Sequence, residues 1–141
     1  MKCAMKKSLK TLLVAIMILA IIVLVLLGSF FIISTAARQI TMNKTINIFS
    51  QNRNAFAETL KLDIPLPNEN QIADYTISQE LMEFGIDKVF LYKENTYFEF
   101  KNRILGLVPF GILYVQNLSA IQEWYRLNHI DGNWYYYRIA P

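Results

Sequence analysis

The single histidine of the sequence is the first candidate for acid–base catalysis. His129 is the one imidazole in 141 residues, and a general base needs a group that orients it and a nucleophile or water within reach. It lies two residues before Asp131 and Gly132, a pair that predicts a two-residue hairpin turn and would place His129 opposite Trp134. We favour the interpretation of a histidine that packs on an indole at a hairpin end, with no catalytic role.

The acidic residues and the cysteine offer no recognisable reaction centre. A glycosidase needs two carboxylates at a set separation, but no pattern links Glu80 and Glu83, which are at helical spacing, to Glu99 on a predicted strand. One cysteine and one histidine exclude a disulfide framework, a thiolate zinc site and a histidine-rich metal site. No glycine-rich phosphate loop or nucleophile elbow occurs. We therefore expect a non-enzymatic protein with no cofactor and no metal, and the alternative is a secreted or surface enzyme that acts on the cell wall.

An aromatic cluster near the C-terminus is the most distinctive chemical feature. Its members are Trp124, Tyr125, Trp134, Tyr135, Tyr136 and Tyr137. Side chains alternate between the two faces of a strand, so Tyr135 and Tyr137 share one face while Trp134 and Tyr136 share the other. At least one of these faces is exposed unless another element covers it. Exposed aromatic rings suit a glycan, a peptide groove or a membrane interface.

The register of the last hairpin decides which aromatic face is exposed. With the turn predicted above, Leu127 lies opposite Tyr136, and this aliphatic neighbour favours the face of Trp134 and Tyr136 as the buried one. The predicted binding surface then consists of Arg126, Tyr135 and Tyr137. The alternative is that the whole cluster belongs to the hydrophobic core, with the tyrosine hydroxyls at its solvent-exposed edge.

The elements that position these residues begin with a long apolar run. Nearly every residue from 12 to 33 is apolar, and these 22 residues would extend about 33 Å as a helix, against a hydrocarbon core of about 30 Å. Gly28 and Ser29 are the exceptions, and membrane helices tolerate both. The run predicts a transmembrane helix over residues 11–35.

The charges around the apolar run predict its orientation. Four of the fourteen basic residues precede the run and no acid does, which leaves ten basic against eleven acidic residues from residue 37 onward. By the positive-inside rule, residues 1–10 form a cytosolic tail and residues 36–141 an extracytoplasmic domain behind a single-pass signal anchor. The mixed charge of that domain argues against nucleic-acid binding. The alternative is a secreted protein cleaved near Ala36, where small residues suit a signal peptidase.

Two helices are predicted between the span and the first strand. Apolar residues at steps of four, three, seven and four predict an amphipathic helix over residues 38–62. No proline interrupts residues 11–62, so this helix is expected to continue the span. Pro65 and Pro67 are expected to end it, before a polar connector at residues 67–70. A short helix over residues 77–84 should follow, with Gly85 as its stop.

After this helix, period-two patterns predict an antiparallel sheet of about four or five strands, and hence an α+β domain. The strands are expected at residues 88–92, 96–102, 112–116, 125–130 and 133–139, with a short helix capped by Ser119 as an alternative before the last hairpin. Residues 105–111 are expected to form a hydrophobic crossover.

The first hairpin is expected to form the core of the domain. A turn at Glu94 and Asn95 would place Leu91 opposite Phe98 and would put four apolar side chains on one face. These four are Val89, Leu91, Phe98 and Phe100. We expect them to pack on the apolar stripe of the amphipathic helix, which carries Phe49, Phe56 and Leu60.

The order of these features resembles a group of small membrane-anchored proteins of low-GC Gram-positive bacteria. The resemblance rests on a lysine-rich start, one span, a Tyr- and Phe-rich hairpin, the segment Gly-Leu-Val-Pro-Phe-Gly at residues 106–111 and the closing Ile-Asp-Gly-Asn-Trp-Tyr-Tyr-Tyr at residues 130–137. It implies an exported, β-rich domain and brings no catalytic residues with it. Type IV pilins share the order of span, helix and sheet, but residues 7–10 lack their Gly-Phe processing site and the glutamate that follows it.

The expectation for function is an interaction or accessory module at the cell envelope. It would be held by the lipid bilayer and would bind an envelope protein, a peptide or a glycan. A pilin-like or structural membrane subunit, whose span makes the important contacts, is the remaining alternative.

Overall fold

A computed structural model describes residues 2–62, 71–101 and 108–140 of the chain. The chain divides into two compact units, Met1–Thr41 and Met42–Pro141. The connector predicted at residues 67–70, the preceding Pro65 and residues 105–107 of the predicted crossover lie outside the described residues. Phe110 and Gly111, also expected in that crossover, belong to a strand.

The first unit consists of the apolar part of helix α1, which extends over Lys2–Gln51. The large apolar side chains of residues 12–33 are between 46% and 73% exposed. Small hydroxyls are satisfied within the helix, because Ser29 donates to the carbonyl of Val25 and Thr35 to that of Phe31. Among the described residues this is the one helix long and apolar enough to cross a membrane, with a mean hydropathy of 3.3. By length and composition it is compatible with membrane anchoring.

The predicted amphipathic helix is present, with one interruption. Helix α1 is unbroken through residues 36–39, as expected, and ends at Gln51. Asn52 leaves the helical conformation at φ −124° and ψ 25°, and its side-chain amide donates to the carbonyl of Ile48. Helix α2 then extends over Arg53–Thr59. An asparagine that bonds to the preceding turn competes with the helical hydrogen bonds, which accounts for the break.

The predicted short helix is α3, Gln79–Glu83. The Ser78 hydroxyl caps it by accepting from the backbone N–H of Leu81. Gly85 follows at φ +90°, a conformation that glycine adopts without a Cβ penalty, and it ends the helix as expected.

In the described part of the second unit, six strands form one antiparallel sheet in the order β1-β2-β3-β4-β6-β5. The strands are β1 (Ala73–Asp74), β2 (Ile86–Tyr92), β3 (Asn95–Phe100), β4 (Phe110–Tyr114), β5 (Tyr125–Asp131) and β6 (Trp134–Ile139). The α+β prediction is confirmed. The sheet has six strands rather than four or five because the two residues of β1 pair with β2, a strand too short to leave a period-two pattern. In place of the alternative helix capped by Ser119, the chain forms a single 3₁₀ turn, Leu118–Ala120, with Asn117 at its N-cap position.

The first hairpin turns one residue earlier than predicted. Tyr92 pairs with Asn95, so the loop is Lys93 and Glu94, both at positive φ. Val89 therefore lies opposite Phe98, and Leu91 lies opposite Thr96 instead of Phe98. For residues 88–92 the partner of each residue moves by two positions, and a shift of two leaves these side chains on their predicted faces. A bulge between Ile86 and Lys88 then places Phe100 opposite Ile86.

The predicted core face is confirmed in its composition. Val89 and Phe98 are fully buried, and Leu91 and Phe100 are each 6% exposed. They belong to one cluster with Phe49, Phe56 and Leu60, together with residues of α3 and Trp134. Residues of α1, α2 and α3 pack on this face, which we call the helix-covered face. The opposite face of the sheet forms a separate surface.

Candidate functional site

The C-terminal hairpin, where a binding surface was predicted, has a different register from the one expected. Asp131 pairs with Trp134, so Gly132 and Asn133 form the loop, and a bulge lies between His129 and Asp131. The bulge shifts the pairing by one residue, so His129 lies opposite Tyr135 and not opposite Trp134. A shift of one residue exchanges the two faces of β5 relative to β6.

This exchange separates the three residues predicted to form the binding surface. Tyr137 is buried with 1% of its surface exposed, Tyr135 is half-buried on the same face, and Arg126 is exposed on the opposite face, across from Arg138. The expectation of a shared exposed patch is therefore wrong for Tyr137 and Arg126. Trp134 and Tyr136 are buried, as predicted.

The face that carries Tyr135 and Tyr137 forms a second apolar cluster, which we call the tyrosine face. Its buried centre consists of Tyr97, Leu113, Val115 and Tyr137. Its half-buried rim consists of Phe90, Tyr92, Ile121, Tyr125, Leu127 and Tyr135. All of these residues belong to strands or to the crossover between β4 and β5, and none belongs to α1, α2 or α3.

The rings of the tyrosine face pack against one another. Tyr97 stacks on Phe90 at 4.8 Å between ring centroids and meets Tyr137 edge-on at 5.4 Å. Tyr125 lies 5.7 Å from Tyr97 and 5.6 Å from Tyr137. Rings at these spacings fill the centre, so a partner would contact the rim and not enter between the tyrosines.

Gly111 makes room for the most buried of these rings. Glu99, Gly111 and Tyr137 lie side by side in three adjacent strands. A Cβ at Gly111 would lie 3.0 Å from Cε1 of Tyr137 and 1.9 Å from the backbone oxygen of Phe98. The ring of Tyr137 therefore covers Gly111 on the neighbouring strand. A glycine inside a strand pattern is the sequence feature that indicates such a close contact.

The hydroxyl of Tyr137 is buried and has no hydrogen-bond partner within the described ranges. Burial raises its pKa well above the usual value, and the nearby charge of Glu99 acts in the same direction. Burial also raises the pKa of Glu99, with Lys88 opposing the shift and Asp87 adding to it. The tyrosine face thus combines a half-buried carboxyl with phenols that stay protonated to high pH.

One buried asparagine holds the crossover between β4 and β5 to the sheet through hydrogen bonds. Asn95 is fully buried, its amide donates to the carbonyl of Asn117, and its oxygen accepts from the backbone N–H groups of Gln116 and Asn117, each at 2.9 Å. The sequence suggested a turn residue here, because asparagine favours turns. After these hydrogen bonds, the crossover carries two exposed apolar side chains, Leu118 at 59% and Trp124 at 53% exposure.

His129 has the structural role that was favoured for it, although with a different aromatic partner. Its Nε2 atom lies 2.9 Å from the carbonyl oxygen of Gly132, and its ring meets Tyr135 edge-on at 5.0 Å between centroids. These contacts hold the ring at the hairpin end. Among the described residues, no group of three or more His, Cys, Asp or Glu side chains could hold a metal ion.

The comparisons with known proteins are consistent in their outcome. No protein-family model matches the chain, and neither the curated proteins nor the solved structures contain a significant match to it.

Proposed function

We propose that this chain is a single-pass membrane protein whose span anchors a non-enzymatic, extracytoplasmic interaction domain. The observation that carries the proposal is the exposed apolar run, because side chains of residues 12–33 that are about half exposed or more need hydrocarbon around them. The lysines that precede the run and the balanced charge that follows it favour a cytosolic N-terminus.

Labelling of Cys3, the single cysteine, tests the topology in intact cells. A maleimide that cannot cross membranes should leave Cys3 unlabelled until the cells are lysed. The matched control is Ser119→Cys in a Cys3→Ser background, because Ser119 is exposed on the crossover of the domain. That cysteine should react in intact cells. Labelling in the reverse pattern would overturn the orientation, and a mature chain in the medium that starts near Ala37 would overturn the anchor.

The rim of the tyrosine face supports the interaction role. Tyr125, Leu127 and Tyr135 are half-buried, and they lie on the face where none of the described helices contributes to the apolar cluster. Rigid aromatic rings beside one aliphatic side chain suit the centre of a protein–protein interface. We therefore place a protein partner of the envelope on this rim, and a glycan is the second ligand to test.

Site-specific photo-crosslinking tests the rim in native membranes. A photo-reactive amino acid at position 135 should give a defined protein adduct, and Tyr135→Ala in a chain that carries the probe at position 127 should reduce it. The matched control carries the probe at Met82, which is 53% exposed on α3, and should give no such adduct. Identical adducts from both positions would refute a specific rim. Retention on cell-wall polysaccharide that depends on Tyr135 would replace the protein partner by a glycan.

A further inference from the structure

The helix-covered face of the sheet carries a group of hydrogen-bond donors on the last hairpin. Arg126 lies directly opposite Arg138, and Asn128 lies directly opposite Tyr136. Residues directly opposite in antiparallel strands have Cβ atoms about 5 Å apart on the same face. Four side chains that can donate hydrogen bonds, including two guanidinium groups, therefore lie on one face as two neighbouring cross-strand pairs.

Within residues 71–101 and 108–140, no acid forms an ion pair with either arginine. Asp131 is paired with Arg53 at 2.5 Å, and Glu99 belongs to the opposite face of the sheet. Glu123 precedes β5, and within the described part of the chain neither Arg126 nor Arg138 has a carboxylate at ion-pairing distance. Like charges directly opposite each other in a sheet are unfavourable, and a bound anion would relieve that repulsion.

The accessibility of the group suits a ligand from solution. Arg126 and Asn128 are exposed, Arg138 is half-buried, and Tyr136 is buried beneath them. Burial raises the pKa of Tyr136 and the charge of Arg138 lowers it, so the guanidinium acts directly on the phenol. Because Arg138 is half-buried, its side chain has less conformational freedom to lose on binding than a fully solvated arginine.

We propose that Arg126 and Arg138, with Asn128 and Tyr136 beside them, form a binding site for a phosphate group. Each planar guanidinium donates in a fork that matches two phosphate oxygens, and two forks from adjacent strands can take opposite edges of one phosphate. The phosphate can belong to a lipid headgroup or to a soluble molecule, since both present the same tetrahedral anion. The site stands apart from the tyrosine face and does not depend on the anchor.

Protection of the arginines from phenylglyoxal tests the site in the full chain. The protein is held in nanodiscs of phosphatidylcholine, and modification of each arginine is followed by mass spectrometry. Inorganic phosphate in one arm, or phosphatidylglycerol in the disc in another, should slow the modification of Arg126 and Arg138 at least fivefold. Arg53, which is paired with Asp131, should change less than twofold. Protection by the lipid assigns a headgroup, protection by inorganic phosphate alone assigns a soluble ligand, and equal reactivity in every arm overturns the proposal.

Substitutions distinguish a defined phosphate site from non-specific attraction of phosphate by positive charge. In equilibrium dialysis with radiolabelled phosphate, Arg126→Gln with Arg138→Gln should raise Kd at least tenfold, since the loss of one hydrogen bond to a charged group raises a dissociation constant by about tenfold. Arg53→Gln, the matched control, should change Kd less than twofold. Phosphate should also raise the Tm of the wild type and not that of the double variant. Unchanged Kd in the double glutamine variant, or wild-type affinity in the double lysine variant, would overturn the proposed forks.

Discussion

Removing one oxygen atom from Tyr137 should make the domain more stable. The side chain is 1% exposed, and its hydroxyl has no hydrogen-bond partner in the described part of the chain. The ring itself is well placed, since it covers Gly111 and meets Tyr97 and Tyr125 edge-on. Tyr137→Phe keeps these ring contacts and deletes only the unpaired group.

The size of the effect follows from two opposing contributions. A hydroxyl that loses its water and gains no partner costs about 1–3 kcal/mol. The gap left by the oxygen is smaller than a methyl group and costs at most about 1 kcal/mol. The expected gain in the free energy of unfolding is therefore about 1 kcal/mol, which corresponds to a rise in Tm of about 4–8 °C for a unit of this size.

Thermal and urea unfolding of the full chain in nanodiscs, followed by circular dichroism, would measure this gain. Tyr135→Phe is the matched control, because Tyr135 is half-buried on the same face and its change should be within about 0.5 kcal/mol of zero. A fall of Tm in Tyr137→Phe would refute the reasoning, since it would mean that the hydroxyl makes a favourable hydrogen bond in solution.

The same variant has a signature at alkaline pH. Burial raises the pKa of Tyr137 in the folded state, so above pH 10 the folded chain binds more protons than the unfolded chain. The stability linked to this group is complete below about pH 10 and is lost as the pH rises towards the folded-state pKa, by about 1.4 kcal/mol per pH unit. Tyr137→Phe should therefore lose stability less steeply than the wild type above pH 10. Equal slopes would contradict the burial of an ionisable group.

Three further substitutions test the core, the crossover and the close approach of two strands by the same unfolding assay. Phe98→Ala, at a fully buried position, should cost about 3–5 kcal/mol, and an unchanged midpoint would refute its place in the core. Asn95→Ala removes three hydrogen bonds and should cost about 2–4 kcal/mol, whereas a cost below about 0.5 kcal/mol would show that the crossover holds without it. Gly111→Ala should cost about 3 kcal/mol or more, because its Cβ would lie 1.9 Å from a backbone oxygen, while Gly28→Ala meets nothing within 4 Å and should be neutral.

The first hairpin shows what a sequence pattern can predict even when its turn is misplaced. Lys93 and Glu94 form the loop at positive φ, a conformation for which neither residue type is a signal, so the turn was predicted one position later. The partners changed by two residues. Because side chains alternate with a period of two, Val89 and Phe98 stayed on the buried face and the core prediction was confirmed.

The last hairpin shows why the candidate site was harder to predict. Its loop also lies one residue from the predicted position, but the bulge after His129 leaves a net shift of one residue. That odd shift moved Arg126 to the face opposite Tyr135 and brought it across from Arg138. Both faces of β6 are aromatic, so hydrophobicity gave no second signal to correct the register. A bulge depends on tertiary packing, and a local pattern does not show it.

The hydrogen bonds of Asn95 join the first hairpin to the crossover after β4, two parts of the chain that are distant in sequence. Asn95 is the first residue of β3, and the three backbone groups that it holds belong to residues 116 and 117, more than twenty positions later. Until the chain beyond β4 lies beside β3, the Asn95 amide lacks these three partners, although β1 and the helices also contact the first hairpin. These three hydrogen bonds therefore form only when a loop of more than twenty residues has closed. Cleavage of the chain between β4 and the 3₁₀ turn would thus loosen a hairpin whose own residues are all intact.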